Sequence, residues 1–179
     1  MKNSMSLFTT AALRLIPGAF IINSGIGKLK ADEEASAGLQ QFAMTGVPAV
    51  EKLPSDKFAK ILGSAEVALG STLVALPIPN FIAGAGLTAF GAGLLTLYFG
   101  NEDNTEADGV RPSQKGLVLA KDSWLVALGL GLIGYSCDQA KYKKAKKAAS
   151  LGNVSALADA ASDAASDVVS SVRKFVPFL

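Results

Sequence analysis

A charge sits where the chain can least accommodate one. Arg14 lies inside the apolar run Leu7 to Ile26, which is long enough to cross a bilayer, and Glu66 lies near the middle of a second run, Phe58 to Leu76. Twenty helical residues at about 1.5 Å each match a hydrocarbon core of roughly 30 Å. An ionised group inside that core costs at least roughly 2.5–3.5 kcal/mol unless it is paired or wet. Two such charges of opposite sign predict a helix bundle with a polar interior.

Composition agrees with a membrane setting. Phe81 to Phe99 is a stretch of 19 residues without a charge, whereas a soluble helix normally keeps a polar stripe. The mean hydropathy of +0.35 is diluted by polar loops and a polar C-terminal tail. A net charge of +2 with few interleaved aromatics gives no footing for a nucleic-acid groove, so no nucleic-acid partner is expected. Cys137 is the single cysteine and histidine is absent, which removes a disulfide framework, a Cys-x-x-Cys pair, His-ligated haem, His-built zinc and a Ser-His-Asp triad. No metal site and no catalytic residue can be named, no cofactor is intrinsic to the chain, and the balance is against an enzyme. Cys137, at the end of an apolar helix, reads as a packing residue.

Punctuation divides the chain. The run from Leu7 ends at Gly25, Gly27, Lys28 and Lys30; Arg14 interrupts any signal-peptide core, so this run reads as a retained first span. Ala31 to Asp56 is mixed and partly helical, broken at Gly46, Pro48 and Pro54, and too polar to span. The second run, Phe58 to Leu76, meets the third, Phe81 to Phe99, across Pro77-Ile78-Pro79-Asn80, a connection that joins antiparallel neighbours. In the third run Ala85, Ala89 and Gly93 recur at four-residue spacing and predict a close-packing face. An acidic loop, Gly100 to Gln114, follows. The fourth span needs Gly116 to Ala120 and must carry Lys121 and Asp122, because Trp124 to Tyr135 alone is 12 residues. The expected fold is all-α: a polytopic membrane protein with an antiparallel four-transmembrane-helix bundle over residues 1–140, then a basic linker and an amphipathic C-terminal helix over 141–179. Four spans put both termini on one side. The cluster Lys141, Lys143, Lys144, Lys146 and Lys147 assigns that side to the cytoplasm of a multi-pass plasma-membrane protein.

The tail carries its own pattern. Leu151, Val154, Ala158, Ala161, Ala165, Val168, Val172, Phe175 and Leu179 fall at steps of three and four on one helix face, and Asp159, Asp163 and Asp167 mark another. A seam this thin favours docking to a protein partner, to a second copy or back onto the chain itself; the competing reading is a helix skimming the lipid surface, with Phe175 to Leu179 touching it. Gly129-Leu130-Gly131-Leu132-Ile133-Gly134 has the G-x-G-x-x-G spacing of a dinucleotide loop, but neither the preceding strand nor the later acidic residue is there, and small residues packing in a helix account for it.

Several of these segments taken together resemble the DoxX family of small membrane proteins: Arg14-Leu15, Gly25-Ile26-Gly27-Lys28-Leu29, Thr45-Gly46-Val47-Pro48, Gly63-Ser64-Ala65-Glu66-Val67-Ala68-Leu69-Gly70 and Lys121-Asp122. The resemblance covers roughly Leu7 to Tyr135. It implies four spanning helices and association with oxidoreductase systems, a thiosulfate-to-quinone enzyme in one branch and membrane partners of thiol and superoxide defence in another. The chain departs from the family at Ser24, where a histidine often precedes the Gly-x-x-Lys element, and in its long tail.

The expected polar constellation is Arg14 with Glu66, and after it Lys28 with Lys121 and Asp122. If the first span rises from Leu7 and the second descends from Phe58, Arg14 and Glu66 differ in depth by about 5 to 7 Å, within reach of an arginine. Such a pair either locks helix register or lines a cavity for a small anionic or quinone-like head group. Three functions are compatible with this: a non-catalytic accessory or anchor subunit of a membrane redox or respiratory complex; a quinone-binding subunit of an oxidoreductase; and a small transporter or lipid-handling protein. The first is favoured by the tail seam and the missing redox groups. The bilayer is the expected environment and quinone the one cofactor left open.

Overall fold

The computed structural model describes residues 2–175, with side chains over 8–163, 165–167 and 170. Among these the protein is all-helical. Helix α1 is Lys2–Leu29, α2 Glu33–Met44, α3 Phe58–Val74, α4 Asn80–Phe99, α5 Leu117–Ala120 and α6 Ser123–Phe175, with short 3₁₀ turns at Pro48–Lys52, Ser55–Lys57 and Glu102–Asn104. The chain forms two compact units, Met1–Ser136 and Cys137–Leu179.

In the first unit α1 and α3 run antiparallel and touch backbone to backbone. A Cβ placed on Gly25 would lie 2.6 Å from the Gly63 carbonyl oxygen, and one on Gly70 would lie 2.7 Å from that of Gly18. The two contacts are seven residues apart on each helix. They fix the register, because any other residue at these positions would force the helices apart. Helix α4 packs on the 123–136 segment in the same way: Cβ atoms on Gly84 and Gly91 would meet Gly129 and Leu125 at 2.6 and 3.0 Å. Ile21, Leu73, Ala83, Leu87 and Leu132 join the four segments in one apolar core.

The close face of α4 is therefore not the expected one. Ala89 and Gly93 are exposed, and a Cβ on Gly93 would touch nothing within 4 Å. Ala85 is only partly buried. Two glycines one heptad apart outcompete a four-residue stripe because the partner helix presents Gly129 at the same level. That contact is also the role of the first glycine in the G-x-G-x-x-G sequence.

The connections at one end of the unit pack together. Asp32 caps α2 by accepting from the Ala35 amide at 2.8 Å, and buried Ser36 donates to the Ser55 carbonyl while its oxygen accepts from Ala59 N, tying α2 to the start of α3. Gln40 donates to the carbonyls of Val50 and Leu53. Gly46 and Gly100 bring the α2 and α4 ends into backbone contact, and Asn104 donates to the last carbonyls of α4 at Leu97 and Tyr98. In the acidic loop Gly109 takes φ +69°, and the Arg111 side chain, with the amides of Arg111 and Val110, holds the Asp108 carboxyl below the usual carboxylate range.

The fourth apolar run is interrupted where it was expected to be continuous. Helix α5 ends at Ala120, and Lys121 and Asp122 separate it from α6. In the second unit Lys141 to Ser150, expected as a linker, is helical; it is built of lysine, alanine, tyrosine and one serine with no glycine or proline, so nothing stops the helix. Leu151, Val154, Ala158, Ala161 and Ala165 are all exposed, as is Cys137, which does not serve as a packing residue. The side chains of Val168 and Val172 and the whole of Leu179 lie outside the described residues.

Among the described residues two stretches are long and apolar enough to cross a membrane, Asn80–Phe99 and one within Leu117–Asp167. They point to membrane association.

Candidate functional site

Arg14 and Glu66 do not meet. The glycine contacts place Arg14 opposite the end of α3 near Val74, so Glu66 is eight residues, or about 12 Å, further along. The expected offset failed because the register is set by glycine contact and not by where the apolar runs begin.

Arg14 instead closes the far end of α3. Its Nε donates to the Leu73 carbonyl at 2.8 Å; Nη1 donates to the Ile78 carbonyl at 2.7 Å and to Asn80 Oδ1 at 2.8 Å; Nη2 donates to the carbonyls of Thr72 and Ala75 at 2.9 and 2.8 Å. A guanidinium has five N–H donors, and all five are engaged. Helix ends leave carbonyls without intrahelical partners and carry partial negative charge, so a cation there satisfies both. Arg14 is 1% exposed. It joins α1, the end of α3, the Pro77 turn and the first residue of α4, a structural task that leaves no donor for a ligand.

Glu66 is paired with Lys28. The Lys28 ammonium, carried back along α1 by its four-carbon stem, lies 2.9 Å from Glu66 Oε2 and donates to Ser24 Oγ at 2.8 Å. The Glu66 side chain is 4% exposed and that of Lys28 23%. Lys28 belongs to the second expected group, and the structure merges that group with Glu66: Lys28, Glu66, Lys121 and Asp122 all line one cavity of about 210 Å³. Its walls are Phe20 and Ile21 of α1, Phe90 and Leu94 of α4, Val118 and Leu119 of α5, and Leu125 of α6. The charged groups enter from three places, the end of α1, the middle of α3 and the break between α5 and α6. That break is what turns Lys121 and Asp122 toward α1 and α3.

No family model matches the chain, and no curated protein or solved structure matches it. The chemistry of the site therefore rests on its own geometry. The cavity offers an ammonium, two carboxylates, a hydroxyl and a second lysine against apolar and aromatic walls. Such a mixture binds a small ring or head group by a few directed hydrogen bonds and apolar contact. Its volume lies below the roughly 300–1,000 Å³ of drug-sized pockets, which limits the buried part of a ligand to about one ring. Among the described residues no three His, Cys, Asp or Glu side chains converge for a metal.

Sequence reasoning missed the partners of Arg14, because four of the five are backbone carbonyls. It also missed Phe90 and Leu94. Ser24 had a usable signal: it stands four residues before Lys28, one turn away on the same helix face.

Proposed function

We propose that the protein is a DoxX-like, four-span integral membrane protein whose Lys28–Glu66 cavity holds the head group of a quinone-like amphiphile. It serves a membrane redox or respiratory complex as a non-catalytic accessory subunit. The observation that carries the membrane part is inverted burial. The bulkiest fully buried side chain described is Arg14, whereas Phe8, Ile16, Phe20 and Trp124 are 66–76% exposed. Water penalises that arrangement and lipid rewards it. In this reading α1, α3, α4 and the 117–136 stretch, α5 with the start of α6, are the spans; α3, at 17 residues, is at the short end of the spanning range. The Lys141 to Lys147 cluster then favours cytoplasmic termini, and the exposed seam from Leu151 to Ala165 is free to meet a partner subunit or a second copy.

The ligand part is supported by an ion pair that is buried on one side and open to a cavity on the other. A carbonyl ring oxygen accepts from Lys28 at little cost, since the ammonium has three donors and Ser24 and Glu66 take two of them. The test is saturable quenching of Trp124, the single tryptophan, by a methyl-substituted benzoquinone added to full-length protein in nanodiscs. Lys28→Met is expected to weaken binding at least tenfold. Equal quenching of the variant and the parent would refute the ring site.

A further inference from the structure

Beside the polar cavity lies a second recess of about 280 Å³ in which every lining residue is apolar. Val47, Leu62, Ala89 and Gly93 form part of it, and Phe90 and Leu94 are shared with the polar cavity. Two side chains of one helix are thus the partition between a charged chamber and a hydrocarbon-like one. Leu62 and Glu66, one turn apart on α3, face one chamber each.

The recess is not simply loose packing. Elsewhere on α4 glycine is used where helices collide, at Gly84 and Gly91. Gly93 has no such neighbour: a Cβ there would meet nothing within 4 Å. Other uncrowded helical glycines, Gly27 and Gly131 among them, line neither cavity, whereas Gly93 lines this one, so its missing side chain is part of what keeps the recess open. The void is larger than the roughly 150 Å³ apolar cavity that stays dry and takes up benzene. Its mouth, at exposed Ala89 and Gly93, opens on the apolar exterior of α4.

The geometry points to a binding site for a hydrocarbon chain, the tail of the amphiphile whose head occupies the Lys28–Glu66 cavity. The inference rests on the membrane-embedded head-group reading above and narrows its ligand class to chain-bearing lipids, excluding free water-soluble anions. Phe90 and Leu94 are then the residues over which the ligand bends, ring on one side and chain on the other. Gly93 keeps the chain's path open.

The test compares a methyl-substituted benzoquinone with the same ring carrying a decyl chain, using full-length protein in phosphatidylcholine nanodiscs and Trp124 quenching. The decyl compound should bind at least tenfold more tightly to the parent. Gly93→Phe, which fills the recess, should cut the decyl-to-bare-ring affinity ratio at least tenfold and leave binding of the bare ring unchanged; partition into the bilayer contributes the same factor to both proteins and cancels between the two ratios. Ala89→Leu, aimed at the same space, provides the same readout if Gly93→Phe folds poorly. A decyl-to-bare-ring ratio that both substitutions leave unchanged overturns the inference while the ring site stands. Should neither ring bind, the head-group reading falls, and the chain site is judged alone with palmitate carrying a mid-chain diazirine. Photolabel on Val47, Leu62 or Ala89 that is lost in Gly93→Phe supports it, and label that is absent or unaffected by the substitution overturns it.

Discussion

Replacing Arg14 with methionine keeps much of the side chain's length and removes all five donors. The acceptors left behind are the carbonyls of Thr72, Leu73, Ala75 and Ile78 and the amide oxygen of Asn80. A stranded buried acceptor costs about 1–3 kcal/mol. The bond to Leu73 is buried and the other four are partly buried. Taking about 2 kcal/mol for the first and about 1 for each of the others gives a loss of about 6 kcal/mol, comparable to the whole stability of many domains. At about 2–4 °C per kcal/mol for a chain of this size, the melting temperature in mild detergent should fall by about 12–24 °C. Arg14→Lys should fall between methionine and parent, because an ammonium has three donors and cannot reach acceptors spread across a planar fork. The assay is thermal scanning of purified protein with size-exclusion recovery. Because Arg14 and Glu66 are about 12 Å apart in this register, Arg14→Met and Glu66→Gln should be additive in their effects. An Arg14→Met protein that melts with the parent, or a double variant that recovers what the single one lost, would refute the assignment of Arg14 to the end of α3.

Two glycines two residues apart should behave oppositely: Gly25→Ala drives a Cβ toward the Gly63 carbonyl and should lower the melting temperature by several degrees, whereas Gly27→Ala meets nothing and should hold it or raise it by up to about 4 °C, the equivalent of about 1 kcal/mol of helix propensity. Equal shifts would mean that the α1–α3 contact is not backbone-limited. Removing everything after Ser150 should leave the first unit folded, since its core residues all precede Ser136, and should release any co-purifying partner; an unchanged size and partner set after truncation would leave the tail without a docking role. Asp at Ala161 and Ala165 should mimic the truncation, because both positions lie on the seam that a partner must bury.

The helices were legible because their signals are local. Phe81 to Phe99 reads as one apolar run and becomes Asn80–Phe99; Pro77 and Pro79 mark the turn before it; Gly46, Pro48 and Pro54 mark the broken stretch after α2. What the letters concealed was which helix faces meet. The pairs Gly18 with Gly25 and Gly63 with Gly70 are each seven apart, so the register was written in the chain, but only as a relation between two distant segments. Lys28, Glu66, Lys121 and Asp122 could be nominated one by one as charges near apolar runs. That Lys28, and not Arg14, neutralises Glu66 depends on that register. The partners of Arg14 were beyond reach for a different reason: a backbone carbonyl has no letter, and its availability follows only from where a helix stops.

The guanidinium of Arg14 also decides which way the interior opens. With its five bonds made, it stitches α1, α3 and α4 shut at the turn end. A solute travelling along the helix axes would have to unpick two helix termini to leave there. The chamber at Lys28 and Glu66 lies about 12 Å further along α3, away from that closure. On the membrane reading proposed above, the chamber is thus a cup with a riveted base: a ligand that enters it does not leave past Arg14.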